Sequence, residues 1–144
     1  MSRAAAIVLN GNHIALIKRH RNGRLYYVFP GGQIEEGESP EQAVVREIEE
    51  ELGLNIEVER LVVEIAYNTK IQYYFLTRTV GGIFGTGKGP EMIGLYPPER
   101  GSYRPIWMPV ANLLKENVVP RPVAEIVAHA TRQGWSTEVI HISD

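Results

Sequence analysis

The sequence predicts an α+β fold in which a mixed β-sheet carries helices on both faces. At least five strand-like runs lie along the chain, and two segments have the apolar spacing of amphipathic helices. One of these helices falls in the first half of the chain, between strands, which favours a layered arrangement of helices and strands. The length of 144 residues suits one domain, so we expect a single domain over residues 1–144.

Composition excludes several classes of protein. The formal net charge of −2 gives no global argument for binding nucleic acid or an acidic membrane. The chain has no cysteine, which excludes a disulfide framework, a thiolate metal site and a cysteine nucleophile, and fits a reducing cytoplasm. The apolar run near the N-terminus is too short to span a bilayer and lacks a signal-peptide cleavage pattern. We therefore expect a cytoplasmic protein with neither a membrane nor a nucleic-acid partner.

Three strands are predicted before the first helix. Residues 4–9 form a continuous small-apolar run, residues 10–12 are typical of a hairpin turn, and residues 13–19 form the return strand. Residues 25–29 form a short aromatic strand that leads into a loop, Pro-Gly-Gly, at residues 30–32. Glycine there lets a backbone carbonyl approach a bound ion, because no side chain intervenes.

A basic cluster lies around the polar loop predicted for residues 20–24. It consists of Lys18, Arg19, His20, Arg21 and Arg24. Solvated charges at a hairpin tip would explain it, and so would a surface that guides phosphate groups, with Arg19 as the candidate residue.

The sequence predicts a helix over Pro40–Leu52. Ser39 is a good N-cap, and Gln42 can complete a capping box. Pro40 occupies the first helical position, and Gly53 falls where a left-handed residue usually ends a helix. The apolar stripe expected to face the core consists of Val44, Val45, Ile48 and Leu52.

Acidic side chains cluster on another face of this helix. Glu47, Glu50 and Glu51 are spaced i, i+3 and i+4, so their carboxylates converge, and Glu38 can join them from the preceding loop. They repel one another and stand toward the C-terminal half of the helix, where the macrodipole disfavours negative charge. Arg46 alone is too little compensation, so the pattern indicates a bound cation such as Mg²⁺. A solvated acidic face is the alternative.

The spacing of this segment resembles the signature of the Nudix hydrolases. In that signature a Gly is followed after five residues by a Glu, and after seven more by Arg-Glu-apolar-any-Glu-Glu-any-Gly-apolar. Every position is filled here, by Gly32, Glu38, Arg46, Glu47, Ile48, Glu50, Glu51, Gly53 and Leu54. The resemblance implies the Nudix fold, an α/β/α sandwich, and hydrolysis of a pyrophosphate bond in a nucleoside diphosphate derivative by direct attack of water.

The resemblance also implies a metal site. Its ligands would be the carbonyl of Gly31 and the carboxylates of Glu47, Glu50 and Glu51. The ion would be Mg²⁺, with Mn²⁺ as the alternative, and the partner a small-molecule nucleotide.

Other roles follow from the same resemblance. Arg46 would orient Glu47 by a bidentate bond, while Glu38 would ligate the ion or pair with Arg46. Nudix enzymes often take a further carboxylate from a later loop, and Glu91 is the candidate. The general base stays open among Glu47, Glu50 and Glu91. The substrate-binding candidates are Gly32, Glu38, Arg19 and Lys88.

Two strands are predicted after the helix, over residues 56–67 and 72–80, joined as a hairpin by residues 68–70. Either packing in the core or stacking on a base would explain Tyr67, Tyr73 and Tyr74. The glycine-rich segment of residues 81–102, which contains Lys88 and Glu91, is expected to be irregular, and ordered loops of this length are usually functional or mobile.

The C-terminal part of the chain predicts four elements. They are a strand over residues 103–108, a short helical turn over 111–115, an amphipathic helix over 123–133 and an edge strand over 136–142.

The choice of substrate is open at this point. The signature segment looks close to that of family members that hydrolyse (deoxy)nucleoside triphosphates, including oxidised guanine nucleotides, and such a triphosphate is the first expectation. Enzymes for oxidised guanine use an Asn before the last helix, whereas residues 118–122 contain none and Asn117 is only nearby. The alternatives are ADP-ribose or a nucleotide sugar, and a non-catalytic nucleotide-binding module. Members of the family occur as monomers and as homodimers.

Overall fold

The structure, a computed structural model, describes residues 2–143. Its helices are α1 (Pro40–Leu52) and α2 (Arg121–Gln133), and short 3₁₀ turns cover Pro98–Arg100 and Val110–Asn112. Its strands are β1 (Arg3–Ile7), β2 (Leu9–Asn10), β3 (His13–Arg21), β4 (Arg24–Val28), β5 (Gly31–Gln33), β6 (Leu54–Tyr67), β7 (Lys70–Gly82), β8 (Ser102–Pro109), β9 (Val118–Val119) and β10 (Ile140–Ser143).

The strands form two sheets, each with parallel and antiparallel neighbours. The first has the order β10–β6–β7–β1–β5, in which β1 and β7 are parallel, as are β6 and β10. The second has the order β2–β3–β4–β9, with β8 antiparallel to β3 and β9 parallel to β4. The predicted mixed sheet is thus divided in two, and the α+β class is confirmed.

The two helices cover opposite faces of this arrangement, and β1 lies between them. Side chains of a strand alternate between its two faces. Ala4 and Ala6 of β1 pack into the core formed with α1, whereas Ala5 and Ile7 pack into the core formed with α2. The layers therefore match the predicted sandwich. No helix within residues 2–143 has both the length and the hydropathy needed to cross a bilayer.

Helix α1 begins and ends where the sequence predicts. The Ser39 hydroxyl accepts a bond from the Gln42 amide at 3.1 Å, and the Gln42 side chain accepts one from the Ser39 amide at 2.9 Å. One expectation for its apolar stripe is wrong. Val45 is 38% exposed and Ala43 is buried instead, since successive helical residues are turned by about 100°.

The first strand is shorter than predicted because the chain changes sheets at Val8. Strand β1 ends at Ile7 in the first sheet, and the carbonyl of Val8 then accepts a bond from the amide of Ala15 in β3 at 2.9 Å. The predicted loop of residues 20–24 is also wrong. Strands β3 and β4 extend to a tight turn at Asn22 and Gly23, where both residues have positive φ.

Three further predictions of secondary structure are wrong. Gly31–Gln33 is an edge strand paired with β1, where the sequence predicts a loop. Val118–Val119 pairs with β4, although no strand is expected there. The last strand begins at Ile140 and not at residue 136, and it lies at the edge of the first sheet as predicted. Each of these short pairings depends on a neighbour distant in sequence, which local patterns do not reveal.

Candidate functional site

A cleft of about 660 Å³ opens beside α1, β5 and the loop of residues 83–101. Its acidic lining residues are Glu35, Glu47, Glu50, Glu51 and Glu91. Its basic lining residues are Arg3, Arg19, Arg46, Lys70 and Arg100. Carboxylates and cations therefore face one space, which suits a ligand that carries both phosphate groups and a metal ion.

Arg46 connects the acidic residues of the cleft. Its Nε and Nη2 atoms donate to the two carboxylate oxygens of Glu38 at 2.7 and 3.0 Å. Its Nη1 donates to Glu47 at 2.8 Å and to Glu50 at 3.3 Å. The bidentate partner of Arg46 is thus Glu38. We expected a bidentate bond from Arg46 to Glu47, but Arg46 makes only one hydrogen bond to that residue. The bonds from Arg46 lower the pKa of Glu38 to about 2, and the same pairing raises the pKa of Arg46.

Two carboxylates on α1 are buried. Glu47 is 9% exposed and Glu51 is 6% exposed. The backbone N–H of Gly31 donates to Glu51 at 2.6 Å. Burial raises the pKa of Glu47, although the hydrogen bond from Arg46 opposes this. Burial also raises the pKa of Glu51 well above its ordinary value, and the negative charge of Glu47 adds to the effect.

The two glycines of β5 allow this close packing. A Cβ at Gly32 would overlap the carboxylate of Glu47, so only glycine leaves room for that side chain. Gly31 pairs with Ala5 of β1, and its N–H points away from β1, toward Glu51. In an antiparallel ladder the carbonyl of such a residue points to the same side. The Gly31 carbonyl therefore faces away from β1 as well.

The loop of residues 83–101 is bonded to the C-terminal end of α1. The N–H of Gly85 donates to the carbonyl of Leu52, and the N–H of Gly89 donates to the carbonyl of Glu50, both at 2.9 Å. The last carbonyls of a helix have no hydrogen-bond partners within the helix, and here amides of the loop are their partners. This attachment holds Glu91, two residues beyond Gly89, beside α1.

Glu47, Glu50 and Glu91 form the tightest acidic cluster within residues 2–143. One oxygen from each of the three carboxylates lies within 4.8 Å of the other two. Such hard, negative oxygen donors are those that Mg²⁺ and Mn²⁺ prefer. Glu51, expected in this set, lies deeper in the cleft and accepts the bond from Gly31. Glu91, chosen in the sequence as the further carboxylate, lies within the cluster.

The four substrate-binding candidates have different positions. Gly32 lines the cleft. Glu38 is paired with Arg46 and does not line it. Arg19 lines the cleft, but its Nε donates to the carbonyl of Ser102 at 3.1 Å and its Nη2 donates to the carbonyl of Arg100. Lys88 is exposed and lies outside the cleft lining.

Sequence reasoning missed several residues of the cleft. They are Arg3, Lys70, Tyr96, Arg100 and Tyr103. Strand pairing brings Arg3 opposite Gln33 in β5, which could have been found only from the register of an unpredicted strand. The aromatic spacing of residues 96–103 carries no local signal that distinguishes a cleft wall from a surface loop.

The tyrosines of β6 and β7 divide between the cleft and the core. Tyr67 lines the cleft, whereas Tyr73 and Tyr74 line an adjoining cavity of about 320 Å³. Tyr74 is only 4% exposed and meets Phe29 edge to face at a centroid distance of 5.8 Å. The cavity and the cleft share Arg3, Val28 and Phe29, so they adjoin each other.

Comparison with known proteins finds a family model, curated relatives and solved structures that match most of this chain. The family model for the NUDIX domain matches residues 1–129. An 8-oxo-dGTP diphosphatase from Escherichia coli (strain K12) is 32% identical over 123 residues, which cover 78% of this chain and 94% of that protein. An RNA pyrophosphohydrolase from Teredinibacter turnerae is 32% identical over 140 residues, which cover 85% of this chain and 82% of that protein. A solved structure from a study of MutT from Aliivibrio salmonicida and Vibrio cholerae has a TM-score of 0.66 at 27% identity, and the match covers 88% of this chain and 95% of that one.

Proposed function

We infer the activity from one premise: this chain belongs to the Nudix family and is a hydrolase that acts on acid anhydrides. We propose that it cleaves the pyrophosphate bond of a (deoxy)nucleoside triphosphate with the help of a divalent cation. The observation that carries the proposal is the cluster of Glu47, Glu50 and Glu91, whose oxygens lie within 4.8 Å of one another in a cleft that also holds arginine and lysine side chains.

The residues present fit Mg²⁺, with Mn²⁺ as the alternative. Three carboxylates in so small a space repel one another, and among residues 2–143 only Arg46 forms a salt bridge with any of them. We propose that Glu47, Glu50 and Glu91 hold the ion, with Glu51 and the carbonyl of Gly31 beside them. When bound, the ion would neutralise charge that develops on the phosphate oxygens during hydrolysis.

The chain itself fixes the geometry around that ion. Arg46 holds Glu47 at 2.8 Å and is held in turn by the two bonds to Glu38, so the position of Glu47 depends on a residue outside the cleft.

The carboxylate of Glu91 accepts no hydrogen bond from the described residues. We therefore assign the general base that removes the proton of the attacking water to Glu91, ahead of Glu47 and Glu50.

The adjoining cavity supports a nucleoside as part of the substrate. Its lining includes Gln72, Tyr73, Tyr74, Val119 and Pro120. Aromatic and apolar walls with a few polar groups suit a planar base. Asn117 donates to the carbonyl of Leu25 at 3.4 Å, so its amide is engaged elsewhere and gives no support for an oxidised guanine as the base.

The two relatives described above carry names with different substrates, 8-oxo-dGTP and RNA. Because both names concern nucleotides, they support a nucleotide substrate and leave the base open.

We also propose a cytoplasmic location, which the absence of cysteine supports.

The test is a substrate panel read by chromatography of the nucleotide products. Purified protein with MgCl₂ would be mixed with (deoxy)nucleoside triphosphates, 8-oxo-dGTP, ADP-ribose and nucleotide sugars. We expect turnover of at least one triphosphate, and a loss of at least about 100-fold in kcat/KM for Glu50→Gln, which corresponds to about 2.7 kcal/mol. The control is Glu49→Gln, a change at an exposed residue of the same helix whose carboxylate accepts a hydrogen bond from the Asn55 side chain at 3.3 Å.

Other results would replace parts of the proposal. Turnover of ADP-ribose alone would show that the protein is a pyrophosphatase for ADP-ribose or nucleotide sugars. Tight nucleotide binding without turnover across the panel would make it a non-catalytic module. Full turnover by Glu50→Gln would show that the ion site is assigned wrongly.

A further inference from the structure

Three side chains of β6 and β7 are joined by hydrogen bonds that lead from the adjoining cavity to the cleft. The hydroxyl of Tyr74 donates to the side-chain oxygen of Gln72 at 2.9 Å. The side-chain nitrogen of Gln72 in turn donates to the hydroxyl oxygen of Tyr67, at a longer distance of 3.4 Å. We call Tyr74, Gln72 and Tyr67 the Tyr–Gln–Tyr network.

Strand register explains why these side chains share one face. Gln72 of β7 is directly opposite Ile65 of β6, and Lys70 is directly opposite Tyr67. Directly opposed residues in antiparallel strands project to the same side of a sheet, as do residues two apart along one strand. Tyr67 and Gln72 are therefore diagonal neighbours on one face, a separation that long side chains can bridge. Tyr74 follows two residues further along β7, on the same face.

The direction of both hydrogen bonds is fixed by the atoms that make them. The amide oxygen of Gln72 carries no hydrogen, so the Tyr74 hydroxyl must donate. The amide nitrogen of Gln72 carries two hydrogens and cannot accept, so the Tyr67 oxygen is the acceptor. Burial raises the pKa of Tyr74, which keeps its hydroxyl protonated and able to donate.

The hydroxyl hydrogen of Tyr67 remains available at the end of this network. The Tyr67 oxygen already accepts from Gln72, and within residues 2–143 its hydroxyl donates to no other group. Tyr67 is half-buried and lines the cleft. A bond accepted by a hydroxyl polarises it and strengthens the bond that it donates. The network therefore presents a donor of fixed position to a ligand in this part of the cleft.

Tyr67 lies where the cleft adjoins the cavity. Gln72 and Tyr74 line the cavity, Tyr67 lines the cleft, and Arg3 lines both. In the proposed function the base occupies the cavity, and the phosphates lie in the cleft beside the carboxylate cluster. The sugar joins these two parts of a nucleotide, so it would lie at the boundary, beside the Tyr67 hydroxyl.

We propose that the Tyr67 hydroxyl donates a hydrogen bond to a sugar hydroxyl of the substrate, at the 2′ or the 3′ position, and that Gln72 and Tyr74 are positioning residues for this bond. The inference rests on the proposed function and names a specificity determinant of the same site. A site built to bond a hydroxyl discriminates against an analogue without it, because a polar group of the protein then loses its partner. The chain therefore distinguishes a ribonucleoside triphosphate from one of its two deoxy forms.

The first experiment compares substrates that differ by one hydroxyl. Hydrolysis of ATP, GTP, CTP and UTP, each with its 2′-deoxy and 3′-deoxy forms, would be measured for the wild type and its variants. For the wild type we expect kcat/KM to fall about tenfold in one of the two deoxy forms, and that form identifies the hydroxyl that Tyr67 contacts. Tyr67→Phe should bring this ratio of kcat/KM values close to one, because it keeps the ring and removes the donor.

Two further variants test the positioning residues. Tyr74→Phe and Gln72→Met should each lower the ratio about threefold, because the Tyr67 hydroxyl is then no longer held. A loss of packing alone would lower kcat/KM equally for substrates with and without the hydroxyl, and would leave the ratio unchanged. The matched control is Tyr26→Phe, which removes the hydroxyl of another half-buried tyrosine, one outside the linings of the cleft and the cavity. Its ratio should equal that of the wild type.

Gln72→Glu tests the direction of the network. The new carboxylate still accepts from Tyr74, but it cannot donate to Tyr67. Instead it would accept the hydrogen of the Tyr67 hydroxyl, so the donor for the sugar is lost. We expect the ratio to fall close to one, as in Tyr67→Phe, since the added negative charge affects substrates with and without the hydroxyl alike. A wild-type ratio in Gln72→Glu would overturn the role of Gln72.

A binding experiment keeps this inference testable without turnover. The dissociation constants of the nucleoside monophosphates and their deoxy forms would be measured with MgCl₂ by isothermal titration calorimetry. If no triphosphate is hydrolysed, yet the monophosphates show a preference that Tyr67→Phe removes, the sugar contact stands and the proposed function is overturned. Hydrolysis with equal kcat/KM for all three sugars, or a preference that Tyr67→Phe retains, would overturn the sugar contact and leave the proposed function in place. Neither hydrolysis nor binding would overturn both.

Discussion

The backbone N–H of Gly89 donates to the carbonyl of Glu50 at 2.9 Å. This bond joins the loop that carries Glu91 to the helix that carries Glu50, and so links two candidate ion ligands through the backbone. The C-terminal carbonyls of α1 would need partners in any fold. Here the amides that bond to these carbonyls belong to the loop that carries Glu91. The same bonds therefore bring a carboxylate that is distant in sequence into the cleft.

Substitution of Gly87 by alanine tests this attachment. A Cβ at Gly87 would lie 2.6 Å from the carbonyl carbon of Glu51, and backbone atoms cannot move aside as a side chain can. The loop must therefore shift away from α1, and Glu91 with it. We expect Gly87→Ala to lower kcat by about 100-fold, the effect of a misplacement near 1 Å, while circular dichroism still shows a folded chain.

The matched control is Gly81→Ala near the end of β7, two residues before the loop begins. Its Cβ would meet only the side chain of Asn55, at 3.4 Å, which is ordinary contact. Equal losses of activity in Gly87→Ala and Gly81→Ala would show that the loop contact with α1 does not set the position of Glu91.

Addition of MgCl₂ should raise the melting temperature of the wild-type chain. A ligand that binds only the folded state stabilises it by about 2.7 kcal/mol at 100 times its Kd. For a chain of this size that corresponds to a shift of several degrees. In Glu50→Gln/Glu91→Gln the shift should vanish, because two of the three clustered oxygens lose their charge.

The same variant in EDTA supplies the internal check. Removing two of three neighbouring negative charges relieves repulsion, so without metal the variant should be at least as stable as the wild type. A lower melting temperature in EDTA together with an unchanged MgCl₂ shift would place the ion elsewhere.

Helix α1 could be predicted to the residue because its boundaries depend on neighbours in sequence. Ser39, Gln42 and Gly53 make their capping bonds within the helix itself. The spacing of Glu47, Glu50 and Glu51 likewise identified the acidic face. The role of Glu51 as an acceptor from Gly31 could not be predicted, since it depends on β5, which forms only by pairing with β1.

Arg19 shows the same limit for the basic residues. Its place near the phosphate site could be predicted from the cluster at residues 18–24, and it does line the cleft. That its guanidinium would be bonded to carbonyls of Arg100 and Ser102 depends on the register of β3 with β8, 80 or so residues away. Within residues 2–143, the arginine at that end of the cleft whose guanidinium donates no hydrogen bond is Arg100, which no sequence pattern indicates.

Two cations of the loop should therefore differ in their effect on substrate binding. Arg100 lines the cleft and is stacked on Tyr96, whereas Lys88 is exposed outside it. For the best triphosphate of the panel, we expect Arg100→Gln to raise KM by about tenfold, the loss of one charge-assisted hydrogen bond. Lys88→Gln, with the same change of charge in the same loop, should keep the wild-type KM. The reverse order would restore Lys88 as the phosphate contact.

The pairing of Glu38 with Arg46 should appear in the pH dependence of stability. The pKa of Glu38 is lowered from 4.5 to about 2 by the hydrogen bonds from Arg46. A carboxylate whose pKa is lower in the folded state binds its proton more readily when unfolded, so its contribution is complete above about pH 5. It is lost progressively as the pH falls from about 4.5 toward 2.

Glu38→Gln lacks this contribution at every pH. The gap in unfolding free energy between the wild type and Glu38→Gln should therefore be largest near pH 7 and should narrow steadily below pH 4.5, as measured by urea denaturation. Glu36→Gln removes the charge of an exposed neighbour that has no bond to Arg46, and it should show no such gap. A gap for Glu38→Gln that stays constant down to pH 2.5 would mean that packing, and not the charged pair with Arg46, accounts for its effect.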